Sequence, residues 1–130
     1  MNFEVFNSKE IEQYKDEAKS KWAQTKAYKE YEQRNIPKAK YRQYTEEMMS
    51  IFADFSVLRH LEPDSEEVQT QVAALQSYIT ENFYTCSKEI LECLGQTYMQ
   101  DERFRQNIDR AGGEGSAEFV SRAIAVYCKA

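Results

Sequence analysis

From Tyr41 to Leu58 the large apolar side chains fall every three or four residues: Tyr41, Tyr44, Met48, Ile51, Phe52, Phe55 and Leu58. That interval matches the turn of an α-helix, about 3.6 residues, and places them all along one stripe. A stripe of this kind must be buried against something. No segment shows the competing rhythm, a sustained two-residue alternation rich in β-branched residues, and Gly and Pro number only 4 and 2. The chain is therefore expected to be all-α.

Caps and breakers divide it into about seven helices. Asn7 with Glu10 has capping-box spacing and opens a first helix over 8–22, with Ile11, Tyr14, Ala18 and Trp22 on one face. Thr25 caps a short second helix over 26–34 that carries Tyr28 and Tyr31. Pro37 precedes the third, over 38–61, which Glu62-Pro63-Asp64-Ser65 breaks. Asp64 with Glu67 caps a fourth over 66–83, with Val68, Val72, Leu75, Ile79 and Phe83 as its stripe. Ser87 opens a fifth over 88–99, using Ile90, Leu91, Leu94 and Tyr98. Asp101 caps a sixth with Phe104 and Ile108, and Ser116, after the Gly112-Gly113-Glu114-Gly115 turn, caps a last helix through Phe119, Val120, Ala123, Ile124 and Tyr127.

Side-chain types are distributed unevenly. Residues 1–45 hold eight of the seventeen aromatics (Phe3, Phe6, Tyr14, Trp22, Tyr28, Tyr31, Tyr41 and Tyr44) but only Met1, Val5, Ile11 and Ile36 as large aliphatics. They carry net charge +3, against −8 for 46–130. A single domain of 130 residues is expected, with 1–36 a segment that docks on a helical core formed by 37–130. Tyr and Trp offer a wide apolar face with a polar edge, suited to a large ligand of mixed character.

The net charge of −5 argues against nucleic-acid binding by this chain, since phosphate affinity needs concentrated positive charge. No run of about 18 apolar residues and no charged-then-apolar leader occurs, so neither a membrane span nor secretion is expected. Three widely spaced cysteines make no disulfide framework, and a reducing cytoplasm is the default.

Few residues offer chemistry. Cys86 lies just before a helix N-terminus, where the dipole favours thiolate; the alternative is a small buried apolar residue. Cys93 and Cys128 read as structural. The only histidine, His60, ends a charged stretch, which leaves no zinc signature, catalytic triad or haem ligand to build on. Glu46-Glu47 and Glu66-Glu67 read as solvated helix starts. The glycine turn lacks the preceding strand and the following Lys-Ser/Thr of a phosphate loop. No metal or cofactor is expected, and no enzyme; a thiol-dependent enzyme using Cys86 and a helical protein-interaction module are the other classes.

Glu17-Ala18-Lys19-Ser20-Lys21-Trp22-Ala23-Gln24-Thr25-Lys26-Ala27-Tyr28 resembles the Trp-Gly-x-Thr-x-x-Tyr opening of the TipAS antibiotic-recognition domain, the effector part of MerR-type, thiostrepton-induced transcriptional activators. The resemblance continues through Asn82-Phe83-Tyr84-Thr85-Cys86-Ser87-Lys88-Glu89-Ile90, Leu94-Gly95-Gln96-Thr97-Tyr98, Asp101-Glu102-Arg103-Phe104, Asn107-Ile108-Asp109, Ala117-Glu118-Phe119-Val120 and Ala123-Ile124. It implies a globin-like helical bundle without haem, holding a cleft for thiopeptides or other bulky amphipathic drugs. The N-terminal helices would form a lid that orders on ligand. Trp22, Tyr28, Tyr44, Met48, Phe52, Phe83, Cys86 and Tyr98 are the ligand-binding residues this implies. Cys86, at the cysteine of the family's Phe-Tyr-x-Cys motif, would add to a dehydroalanine of the drug. Ala23 stands where the family carries Gly, a change expected to lengthen the first helix, and Leu75 and Asn82 replace its His and Trp. The family's winged-helix DNA-binding region and dimerising coiled coil have no counterpart here, so DNA contact and dimerisation would need an additional N-terminal region. The chain would be either the effector module of such an activator or a stand-alone protein that sequesters drug.

Overall fold

The computed structural model describes residues 8–129. The Asn7 cap lies outside them, as do the side chains of Ile11 and Tyr14. Seven α-helices, and no strand, are present among the described residues: α1 (Ser8–Trp22), α2 (Lys26–Arg34), α3 (Lys38–Asp54), α4 (Glu66–Asn82), α5 (Lys88–Gln100), α6 (Glu102–Gly112) and α7 (Ser116–Lys129). A 3₁₀ turn, Phe55–Leu58, follows α3.

Several boundaries differ from the expected ones, each for a local reason. The third helix stops at Asp54, because the Phe55 N–H reaches the Phe52 carbonyl and tightens the chain into the 3₁₀ turn. This swings Phe55 fully inside, edge-on to Phe119 with ring centroids 6.5 Å apart. Helix α4 is capped by Ser65 rather than Asp64, in extended conformation and without a side-chain cap bond. Ser116 does not cap α7 but begins it; Asp109 of α6 accepts the Ala117 N–H at 2.8 Å and does the capping from a neighbouring helix. Ala23 does not lengthen α1, which ends at Trp22, where the Thr25 hydroxyl and N–H both donate to the Trp22 carbonyl. The caps at Thr25, Ser87 and Asp101 are present, accepting from the backbone N–H of Tyr28, Ile90 and Arg103.

Helix α7 is the hub. It packs most extensively on α5, and also on α6 and α4, while α3 lies on α6 and α4. Phe52, Phe55, Val68, Val72, Leu75, Leu91, Ile108 and Val120 are fully buried between these helices. Burying each such side chain contributes about 1.5–3 kcal/mol, so these stripes outweigh any individual cap. At Gly95 the α5–α7 crossing is so close that a Cβ there would lie 2.9 Å from Ile124 Cγ2. At the far end Gly113 and Gly115 take φ of 97° and 91°, and Arg59 donates to the Gly112 and Glu114 carbonyls across that turn. Helices α1 and α2 belong to none of the broad helix pairs, and α2 buries no residue fully.

Candidate functional site

The space between α1–α2 and the rest is a cavity of about 490 Å³. Its outer wall comes from the two N-terminal helices: Ala18 and Trp22, then Thr25 and Lys26, then Ala27, Tyr28 and Tyr31. Opposite stand Tyr41, Thr45 and Met48 of α3, Ile79 of α4, and Phe83 and Tyr84 from the turn after it. Helix α5 supplies the floor with Glu89, Ile90, Cys93, Leu94, Thr97 and Tyr98, and Phe104 of α6 closes the end. The size and the mostly apolar lining with sparse polar groups are those of a small-molecule site.

Two ring chains brace the walls. Tyr28, Tyr31, Tyr41 and Phe83 follow one another with centroids 5.7, 6.5 and 5.8 Å apart, so aromatic contact runs unbroken from α2 into the body. A second run joins Phe52 to Tyr98 at 5.1 Å and Tyr98 to Phe104 at 5.6 Å. Burial pushes the Tyr28 and Tyr31 hydroxyls above their ordinary value, helped by Glu32 and Asp16 at Tyr28 and by Tyr28 and Glu32 at Tyr31. Both stay neutral near pH 7 and able to donate hydrogen bonds.

Of the eight residues expected to bind ligand, Trp22, Tyr28, Met48, Phe83 and Tyr98 line the cavity, while Tyr44, Phe52 and Cys86 do not. Tyr44 packs edge-on behind Phe83, at 5.8 Å, and Phe52 is fully buried behind Tyr98. They support the lining rather than form it. Cys86 also falls outside the lining. It is 3% exposed, its thiol faces the Ser87 carbonyl, and burial, with Cys128 nearby, pushes it up to about 12. Desolvation there opposes the thiolate that a helix dipole alone would favour.

The thiol that does line the cavity is Cys93, an exposed residue midway along α5. From its position within a helical pattern Cys93 reads as structural, because Ile90, Leu91, Leu94 and Tyr98 resemble a single core stripe. The helix in fact has two apolar faces: Leu91, Gly95 and Tyr98 are buried, while Ile90, Cys93, Leu94 and Thr97 line the cavity. The breadth of that apolar arc, wider than one packing face needs, was the available signal. His60, Glu47, Glu66 and Glu67 are exposed and stand outside the cavity, and Glu46 is also absent from its lining. Among the described residues no three His, Cys, Asp or Glu side chains cluster as metal ligands would, and no helix is long and apolar enough to cross a membrane.

Comparison with known proteins agrees with this geometry. The TipAS antibiotic-recognition domain matches residues 14–127. The HTH-type transcriptional activator TipA of Streptomyces coelicolor is 32% identical over 126 residues, covering 94% of this chain and 49% of that protein. The HTH-type transcriptional activator mta of Bacillus subtilis is 41% identical over 66 residues, covering 51% of this chain and 25% of its own length. The chain thus spans about half the length of the curated relatives it matches. Among solved structures, TipAS of Streptomyces lividans in complex with nosiheptide, from a thiopeptide antibiotic multidrug resistance system, superposes with TM-score 0.81 at 30% identity. That match covers 98% of this chain and 91% of the other.

Proposed function

The chain belongs to the TipAS antibiotic-recognition domain family, and on that premise we propose that it captures thiopeptide or other bulky amphipathic antibiotics in the cavity beneath α1–α2. The observation that carries this reading is the cavity itself, walled by aromatic rings on both sides in a fold shared with a nosiheptide-bound relative. Trp22 and Tyr28 would cover the compound, Met48, Phe83 and Tyr98 would receive it, and Tyr44 and Phe52 would keep Phe83 and Tyr98 in position. The role is binding and signalling rather than catalysis, in the cytoplasm. Joined to a DNA-binding region, the module would make transcription depend on the drug; alone, it would sequester it. Residues 1–36 act as the lid and 37–130 as the helical core.

Where the drug carries a dehydroalanine, covalent capture passes through Cys93 rather than Cys86. The Cys93 sulfur bonds to the terminal alkene carbon, the π pair moves to the α-carbon, and the thiol proton ends there by way of solvent. The product is a thioether, with no oxidant and no leaving group.

Thermal shift followed by intact mass tests this reading. A dehydroalanine-containing thiopeptide should raise the melting temperature as its concentration exceeds its dissociation constant. Its adduct should survive Cys86→Ser and disappear in Cys93→Ser. Absence of both stabilisation and adduct across a panel of thiopeptides and other bulky drugs would overturn it.

A further inference from the structure

Among the described residues, α1 and α2 each reach the body through a polar contact set that lies outside the cavity lining. In α1, Glu17 receives two hydrogen bonds from Arg103, Nη1 at 2.8 Å and Nη2 at 2.7 Å, while Arg103 also binds Asp101, the cap of α6. In α2, one Glu30 oxygen accepts from the Thr85 N–H at 2.9 Å, the Thr85 hydroxyl at 3.0 Å and Arg34 at 2.7 Å, and Arg34 also donates to the Thr80 carbonyl at 2.9 Å.

The placement is telling. Glu17 and Arg103 are the sequence neighbours of cavity residues Ala18 and Phe104; Glu30 and Thr85 are the neighbours of Tyr31 and Tyr84. Each polar contact therefore joins the covering helices to the body beside residues that line the cavity from both sides. Bidentate and charge-assisted bonds of this kind fix geometry as well as adding energy.

We propose that Glu17–Arg103 and Glu30–Thr85, the latter reinforced by Arg34–Thr80, are two latches that hold α1–α2 over the cavity and set how fast it opens. This rests on the capture reading only for its consequence, that opening limits the release of a bound compound. The apolar lining governs what is bound; the latches govern how long it stays. Glu17 and Arg103 act as positioning residues and touch no ligand.

The test compares wild type, Glu17→Gln, Glu30→Gln and the double variant in the full chain, with nosiheptide as the probe. Exposed charged pairs are individually weak, so each single change should speed amide exchange in α1–α2 by only about two- to fivefold. The two latches share no residue, so the double variant should show about the product of the single effects. Nosiheptide dissociation should accelerate by the same factors, with association and exchange in α4–α7 unchanged. Raising ionic strength should bring wild type toward the variants, a response that simple loss of packing would not give. Unchanged α1–α2 exchange in the double variant, or equal loosening of α4–α7, would overturn the latches. Faster exchange with no nosiheptide binding would uphold them and overturn thiopeptide capture instead.

Discussion

The covering helices and the body obey the same helical spacing but are held by different physics. In α3–α7 aliphatic and Phe side chains interlock until many are wholly enclosed, and Gly95 lets α7 approach within side-chain contact of α5. In α1–α2 the described contacts are half-buried rings and a few polar bonds to the body. Enclosed aliphatics make a fold that does not open. Rings on one side of a space, steadied by exchangeable polar bonds, make a surface that can part from what it covers without unfolding the rest.

The sharpest way to break this contrast is to damage the body. Phe52→Ala should cost about 3–5 kcal/mol, read by chemical denaturation, and should remove ligand binding with it, because Tyr98 loses its support. If Phe52→Ala left stability nearly unchanged, the ring would not be core. Next, Gly95→Ala should destabilise by about 1–3 kcal/mol through overpacking against Ile124 Cγ2, a loss that Ile124→Leu, which has no Cγ2, should partly restore. Trp22→Ala should act the other way round, weakening thiopeptide binding by about tenfold, the value of one well-packed ring, with little change in the melting of the body. Equal damage to binding and stability would erase the distinction between cover and core.

The smallest effect is electrostatic. The Arg103 hydrogen bond holds the Glu17 carboxyl below its ordinary 4.5, though some desolvation opposes it. Burial pushes Glu30 up, but the bonds from Arg34 and Thr85 leave it lowered overall. Carboxylates lowered in the closed arrangement favour closure above their ordinary value, and that contribution is lost as pH falls through the lowered values. Emission from Trp22, the chain's single tryptophan, should therefore shift toward that of an exposed indole on acidification below about pH 4, ahead of body unfolding by circular dichroism. Coincident transitions would mean that cover and body move as one.

The body was largely legible because its signals are local. Spacing along 66–83 placed Val68, Val72, Leu75 and Ile79 inside, and the caps at Thr25, Ser87 and Asp101 needed only residues within a few positions. Failures arose where a distant residue decided the outcome. Asp109 caps α7 from another helix, and no spacing rule near Ser116 reveals that. The site was half legible for the same reason. Trp22 and Tyr28 stood out as rings without aliphatic company, whereas Cys86 looked activated beside a helix start until the surrounding burial was known. Cys93 was hidden because a helix with two apolar faces reads, one residue at a time, like a helix with one.

That two-faced α5 also bears on how such a protein can change over generations. Residues Leu91 and Gly95 answer to α7 and the core, whereas Cys93 and Thr97 face the cavity and Ile90 and Leu94 line it from the edge of the core. On the proposed capture reading, substitutions at Cys93 and Thr97 would retune chemical preference with little effect on the core, and a thiol gained or lost there would switch between transient and permanent retention. One helix would thus separate heritable specificity from heritable stability, on a scaffold that stays put.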